Sequence, residues 1–170
     1  MTTYKTVNPA DGTTVKEFET LDGPGVERAL ASAHAGYQTW RATSPQHRAD
    51  TLRKVADIYD ERSDELARSI SLEMGKPLTE SKGEVELSSA IYRYYADNGP
   101  KFLEEEQLDV PGAEESVLQR KPVGALVGIM PWNFPYYQVA RFAGPNLMLG
   151  NTVLLKHAPN CPQSALLMEE

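Results

Sequence analysis

The sequence is poor in cysteine and histidine and lacks long apolar runs. Its single cysteine, Cys161, excludes an intramolecular disulfide, which is typical of proteins from reducing compartments. The longest apolar run is far shorter than the roughly 18 residues that a membrane helix needs. Residues 1–5 also lack the apolar core of a signal peptide. We therefore expect a soluble, cytoplasmic protein that does not bind membranes.

Charge and histidine placement exclude further classes of function. The chain carries 17 Lys and Arg against 24 Asp and Glu, which gives a formal net charge of −7 without a basic cluster. Nucleic acid and anionic membrane surfaces are therefore not expected as partners. The three histidines, His34, His47 and His157, are scattered along the chain without the short spacing of metal ligands. We expect no metal site.

The patterns that are present are mainly helical. Hydrophobic residues make up 41% of the chain, which suits a globular protein with a core. Turn signals at Asn8-Pro9 and Asp11-Gly12 predict a hairpin near the amino terminus. The Asn98-Gly99-Pro100 stretch predicts an interruption or kink in a long helix. Apolar spacing and capping residues place helix starts after Asp22, at Pro45, at Ser63, at Thr79 and at Ser164.

A βαβ unit is predicted in the carboxyl-terminal part of the chain. The apolar run Val123–Met130 reads as a buried strand, and Tyr136–Leu149 is long enough for a helix that Gly150 ends. Thr152–Lys156 is a second apolar strand, so the two strands should be parallel and joined by a right-handed crossover. Ligands of such sheets bind beyond the carboxyl ends of the strands. The residues predicted at that edge are Trp132, Asn133 and Lys156.

Four motifs, in order and spacing, resemble the amino-terminal third of an NAD(P)-dependent aldehyde dehydrogenase. They are Asn8–Gly12, Glu73–Pro77, Pro131–Pro135 and Gly150–Lys156, and the resemblance covers nearly all 170 residues. The segment Lys156-His157-Ala158-Pro159 is similar to the bacterial succinate-semialdehyde dehydrogenase branch of that family.

The resemblance implies an α/β fold, namely an amino-terminal helical segment followed by the first βαβ unit of an aldehyde-dehydrogenase-type, Rossmann-like cofactor domain. Because only two core strands are predicted, we expect this domain to be incomplete and the chain to be a fragment. Residues 1–113 would form the hairpin and helices of the cofactor domain. Residues 114–121, where Ser116–Lys121 alternates like a strand, would belong to an oligomerisation arm, and residues 122–170 to the βαβ unit. A homo-oligomer is implied for the full-length protein.

Asn133 is the strongest candidate for a catalytic role. By residue type alone, an Asn at a strand end is more typical of a turn. The family uses the Asn of this motif as an N–H donor to the oxyanion that forms during aldehyde oxidation, and we carry that role to Asn133. An amide suits it because it donates without changing protonation state. Phe134 and Tyr137 could wall a substrate tunnel or simply pack, and Arg141 could steer an acidic substrate or face solvent.

The resemblance also implies a nucleotide site and NADP as its cofactor, with NAD possible. Lys156 would bind the adenosine ribose, although a Lys that ends an apolar strand often only extends its ammonium to water. The family's commoner pattern has a Glu that favours NAD where Pro159 stands here. Trp132 could line the cofactor cleft or belong to the core. The predicted cofactor-binding residues are Ile129, Met130, Pro131, Trp132, Asn133, Lys156, His157, Ala158 and Pro159.

Other reactive side chains are assigned no chemistry. Cys161 precedes Pro162 at a helix start, outside the context of the family's nucleophile, so packing or a capping position is the better interpretation. Glu73 and Glu104–Glu106 read as solvated helix charges. The nucleophilic cysteine and the general-base Glu would lie beyond residue 170.

The predicted function is oxidation of an aldehyde, with succinate semialdehyde preferred, by NAD(P)⁺ through a cysteine thioester. The alternative is a non-catalytic fragment that binds nucleotide weakly or associates with other chains.

Overall fold

The computed structural model describes residues 4–170, and within them the chain forms a mixed α/β fold of six helices and three two-stranded sheets. The predicted fold class is confirmed. Residues 1–3, on which the signal-peptide expectation partly rests, lie outside the described range. The strands are β1 (Tyr4–Val7), β2 (Thr14–Phe18), β3 (Glu106–Gln107), β4 (Val117–Leu118), β5 (Ala125–Ile129) and β6 (Thr152–Lys156). The helices are α1 (Gly23–Trp40), α2 (Pro45–Glu61), α3 (Ser63–Met74), α4 (Leu78–Phe102), α5 (Tyr137–Leu149) and α6 (Pro162–Glu169).

Local signals account for most of these boundaries. Antiparallel β1 and β2 confirm the predicted hairpin. The Asp22 carboxylate accepts a hydrogen bond from the Gly25 N–H and caps α1, and the Ser44 hydroxyl caps α2 in the same way. Gly75, with φ +76°, ends α3 in the left-handed conformation that a glycine adopts without strain.

Helix α4 differs from the prediction at both ends. It begins at Leu78 after Pro77, without a side-chain cap, so the predicted cap at Thr79 is wrong. It also continues through Pro100, so the predicted interruption is wrong. A proline this near the end removes one hydrogen bond, and the Leu103 N–H still donates to the Gly99 carbonyl. A Cβ at Gly99 would lie 2.6 Å from Met148 Sδ, so glycine here permits the close approach of α4 and α5.

The core lies between α2, α3, α4 and α5. Its largest fully buried apolar side chains are those of Leu52, Ile70, Val85 and Tyr136. Helix α1 is linked to β6 by a hydrogen bond of 2.8 Å that the Thr152 hydroxyl donates to the Ala33 carbonyl. No helix within residues 4–170 is long and apolar enough to cross a bilayer.

The predicted arm strand is shorter than expected. Only Val117–Leu118 of Ser116–Lys121 is strand, and it pairs antiparallel with Glu106–Gln107, a strand that the sequence reading missed. Each strand has only two residues, and both are largely exposed. An isolated pair of strands that buries so little apolar surface is marginally stable, which explains its short length. The domain boundaries at residues 113 and 121 stay predictions.

The predicted order of strand, helix and parallel strand is confirmed, but β5 is not the buried strand that was expected, since Val127 and Ile129 are 58% and 75% exposed. Strands β5 and β6 pair in parallel, from Ala125 opposite Thr152 to Ile129 opposite Lys156, and α5 lies between them in sequence. Gly150, with φ +107°, ends α5. The Oδ1 atom of the buried Asn151 side chain accepts hydrogen bonds from the Val123 and Gly124 N–H groups at 2.7 and 3.1 Å. Because the two strands are parallel, their carboxyl ends lie at the same edge of the sheet.

Candidate active site

The site predicted from the sequence is assembled at the carboxyl ends of β5 and β6. The Met130 N–H donates to the Lys156 carbonyl at 3.1 Å, so the two strand ends are held together beyond the ladder itself. After β5, residues 131–136 form a turn that leads into α5. After β6, residues 157–161 lead into α6. These two connections and the residues that lead into them, Ile129, Met130 and Lys156, include all the predicted site residues.

The Asn133 side chain is exposed at the tip of the first turn. Its amide makes no hydrogen bond to any of residues 4–170, so its two N–H donors are available to a ligand. The backbone of Asn133 is held in place, because its carbonyl accepts a hydrogen bond of 2.9 Å from Lys76 Nζ. A free amide on a fixed backbone is the arrangement that an oxyanion donor requires.

Two buried charged residues that the sequence reading did not assign to the site hold this turn. Glu84 Oε1 accepts hydrogen bonds from the Tyr136 and Tyr137 N–H groups at 2.9 and 3.3 Å. Glu84 Oε2 forms an ion pair with Lys76, whose Nζ also lies 3.8 Å from the centre of the Phe134 ring. The sequence signal available was Lys76 itself, which lies inside the Glu73–Pro77 motif.

Apolar side chains flank the turn without being buried. Ile129 is 75% exposed and Trp132 is 54% exposed, so Trp132 is not a core residue among residues 4–170. Met130 is half-buried and Pro131 is exposed. Phe134 packs edge-on against Tyr137, with ring centres 5.6 Å apart. This edge therefore presents apolar surface of the kind that a ring-containing ligand covers.

The second connection contributes a cation and a half-buried histidine. Lys156 and Pro159 are exposed, and Ala158 is buried. No carboxylate of residues 4–170 pairs with the Lys156 ammonium. His157 Nδ1 accepts from the Ala158 N–H at 2.8 Å, and its Nε2 is buried without a hydrogen-bond partner in that range. Burial lowers the pKa of the His157 imidazole, so the ring is neutral at pH 7. The structure thus places Lys156 at the surface and buries the Nε2 atom of His157.

Glu73 is not a solvated charge, and that prediction is wrong. It is 3% exposed and accepts hydrogen bonds from the Thr6 hydroxyl, the Gln163 N–H and both the N–H and the hydroxyl of Ser164, at 2.6–2.8 Å. Since α6 has no side-chain cap of its own, the Glu73 carboxylate satisfies its free N–H groups. Glu104–Glu106 are exposed as predicted, although α4 ends before them.

Cys161 lies at the N-cap position of α6 and is fully buried. Burial, and secondarily the charges of Glu73 and Glu84, raises the pKa of its thiol to about 12. A thiolate is the nucleophilic form of cysteine, so this environment suppresses reactivity. The packing role predicted for Cys161 agrees with this position.

We therefore expect Cys161 to resist alkylation in the folded protein. With a pKa of about 12, about one thiol in 10⁴ is ionised near pH 8, and the sulfur is also inaccessible. Iodoacetamide treatment followed by peptide mass mapping should find Cys161 unmodified before denaturation and fully modified after it. Equal modification of the native and denatured protein would contradict the burial of this thiol.

The chain resembles known proteins in both sequence and structure. The sequence model of the aldehyde dehydrogenase family matches residues 1–170. The succinate-semialdehyde dehydrogenase [NADP(+)] of Deinococcus radiodurans is 49% identical over 167 residues, which are 98% of this chain and 35% of that protein. The succinate-semialdehyde dehydrogenase [NADP(+)] 1 of Mycobacterium ulcerans is 42% identical over 168 residues, which are 97% of this chain and 37% of that protein.

A solved structure gives the same relation. The crystal structure of succinic semialdehyde dehydrogenase from Streptococcus pyogenes in complex with NADP⁺ matches with a TM-score of 0.94 at 35% identity. The match covers 98% of this chain and 36% of that one. The chain thus spans little more than a third of the length of the relatives that it matches.

Proposed function

The chain belongs to the aldehyde dehydrogenase family, and from that premise we propose that it forms the first part of an NADP⁺-dependent enzyme that oxidises succinate semialdehyde to succinate. The observation that carries the proposal is the free Asn133 amide on a fixed turn at the carboxyl end of β5. The substrate and cofactor are supported by the relatives, which are succinate-semialdehyde dehydrogenases that use NADP⁺.

Asn133 is proposed to stabilise the oxyanion of the reaction. A cysteine thiolate from sequence outside these 170 residues attacks the aldehyde carbon, and the carbonyl oxygen becomes the oxyanion that the Asn133 N–H groups bind. NADP⁺, when bound, accepts the hydride that leaves this carbon, and a thioester remains. Water then hydrolyses the thioester to the carboxylate and restores the thiolate. A positioned neutral donor of this kind contributes about 3–4 kcal/mol to the transition state.

The proposed cofactor site uses the exposed residues of both connections. Ile129, Pro131 and Trp132 offer apolar surface, and the unpaired Lys156 ammonium offers a cation for ribose or phosphate oxygens. Pro159 puts no carboxylate at position 159, which favours a 2′-phosphate, although Glu19 lines the same cleft as Lys156. Met130, His157 and Ala158 are more buried, and we propose that they support the shape of the site rather than donate to the cofactor.

The division of the chain stays part of the proposal. Residues 1–113 and 122–170 would build the cofactor domain, and residues 114–121 would begin an arm that pairs with other chains in a homo-oligomer. The exposed pair β3–β4 supports this, since a short exposed strand pair has free edges for further pairing.

The proposal is tested by comparing an enzyme that carries this segment with the 170-residue segment alone. We expect the enzyme to form NADPH from NADP⁺ and succinate semialdehyde, and to keep this activity in the Cys161→Ser variant. The segment alone should be inactive, because its only thiol is buried and protonated. Turnover by the isolated segment that Cys161→Ser abolishes would contradict the proposal. Nucleotide binding without any turnover by the enzyme would favour a non-catalytic role.

A further inference from the structure

Lys76 and Glu84 form a buried ion pair directly behind the Asn133 turn. Their side chains are 8% and 1% exposed, and they come from the α3–α4 connection and from α4. Burying two charges is unfavourable unless each makes further hydrogen bonds. The further partners of this pair therefore indicate what it is for.

Those partners all lie in residues 133–137. Lys76 Nζ donates to the Asn133 carbonyl at 2.9 Å and lies over the Phe134 ring, while Glu84 Oε1 accepts from the Tyr136 and Tyr137 N–H groups. The other Glu84 oxygen binds Lys76. Both ends of the turn are thus tied to one pair, and α5, which has no side-chain cap of its own, is capped by it.

A neighbouring pair shows that this is not a general feature of α4. Lys82, on the same helix, pairs with Asp64, but their side chains are 45% and 66% exposed and the contact joins only α4 to α3. Exposed ion pairs of this kind contribute little to the stability of a fold. It offers a matched control, because Lys82→Met removes the same lysine charge close by in sequence, but from an exposed pair.

We propose that Lys76 and Glu84 are positioning residues, which fix the backbone of the Asn133 turn so that the Asn133 amide points at the developing oxyanion. This inference rests on the proposed function. The pair acts only through Asn133 and touches no substrate. Its loss should leave substrate and cofactor binding intact and lower the rate of the chemical step, because a donor displaced by about 1 Å can lose up to about 10²-fold in rate.

The test is a double-mutant cycle in the enzyme that carries this segment. Lys76→Met should lower kcat by about 10- to 100-fold with KM for succinate semialdehyde and NADP⁺ little changed. In the Asn133→Ala background, the same Lys76→Met change should lower kcat by less than about threefold, since nothing is left to position. Lys82→Met should leave kcat at its wild-type value.

Two conservative variants keep the test decisive if Lys76→Met folds poorly. Lys76→Arg retains a cation that reaches both the carbonyl and the carboxylate, and should recover most of the rate. Glu84→Gln keeps an oxygen for the Tyr136 and Tyr137 N–H groups but sets an amide against Lys76, and should show the same coupling to Asn133→Ala. Thermal melting is measured for every variant.

The outcomes separate this inference from the proposed function. A wild-type enzyme without turnover, or an Asn133→Ala variant with normal kcat, overturns the proposed function and this inference with it. The wild type could be active and Asn133→Ala could lower kcat strongly, while Lys76→Met lowers kcat by the same factor in the wild-type and the Asn133→Ala enzymes. That result overturns the positioning role alone. A fall in kcat that parallels the fall in melting temperature, and that Lys76→Arg does not restore, also overturns the positioning role alone.

Discussion

The Asn133→Ala variant is expected to turn over about 10²–10³-fold more slowly than the wild-type enzyme, with little change in NADP⁺ affinity. The amide is exposed and unpaired within residues 4–170, so its removal breaks no contact of the fold. What is lost is the hydrogen bond that forms as the oxyanion develops, and such a loss lowers kcat rather than ground-state binding.

The measurement is steady-state kinetics with succinate semialdehyde, together with the dissociation constant of NADPH. Asn133→Asp is a useful second variant, because it preserves the size of the side chain but replaces the N–H donors with a negative charge. It should be at least as slow as Asn133→Ala. Asn98→Ala removes an amide that bonds only to the Tyr94 carbonyl on α4, and should behave as wild type. Near-normal kcat in Asn133→Ala would refute the oxyanion role.

The second large effect concerns the choice between NADP⁺ and NAD⁺ at Pro159. We expect the wild-type enzyme to use NADP⁺ at least as well as NAD⁺, because Lys156 attracts the 2′-phosphate and no carboxylate stands at position 159. In Pro159→Glu, a carboxylate about 4 Å from the phosphate would repel each negative charge by about 1 kcal/mol in water and about 4 kcal/mol in a less polar site. The kcat/KM ratio should therefore move toward NAD⁺ by about 10- to 10³-fold.

The control is Pro159→Gln, which has nearly the shape of the Glu variant without its charge and should shift the ratio little. Because Pro159 is exposed, the shift should also shrink as salt is added. A strong NAD⁺ preference in the wild type would contradict the prediction. Equal shifts in the Glu and Gln variants would show that charge is not the cause.

Much of the candidate site could be read from the sequence because it is local. The edge at Asn133 and Lys156 follows from two apolar strands, a helix-length gap and the glycine that ends the helix. Each of these signals acts within a few residues, and the parallel crossover then places both strand ends together. The order of the motifs supplied the family, which composition and periodicity alone could not indicate.

The errors of the sequence reading concern charged residues with distant partners. Glu73 looked like a solvated helix charge, yet it binds groups 67 to 91 residues away in sequence. Glu84 was assigned no role from the sequence, although it accepts a hydrogen bond from the Tyr136 N–H, 52 residues away. His157 stays a predicted cofactor residue, but the sequence did not show that burial lowers its pKa and leaves Nε2 without a hydrogen-bond partner within residues 4–170.

By itself the sequence determined most of the helices and strands of this protein, although not β3, because caps, turn glycines and apolar periodicity act on neighbouring residues. Only the tertiary structure decided which polar groups are buried away from solvent. The carboxylates of Glu73 and Glu84 and the ammonium of Lys76 are buried because other segments cover them. Each then forms hydrogen bonds with a segment far away in sequence, the carboxylates as acceptors and the ammonium as donor, since an unpaired buried charge is too unfavourable to persist. The fixed turn beneath the Asn133 amide results from that long-range pairing.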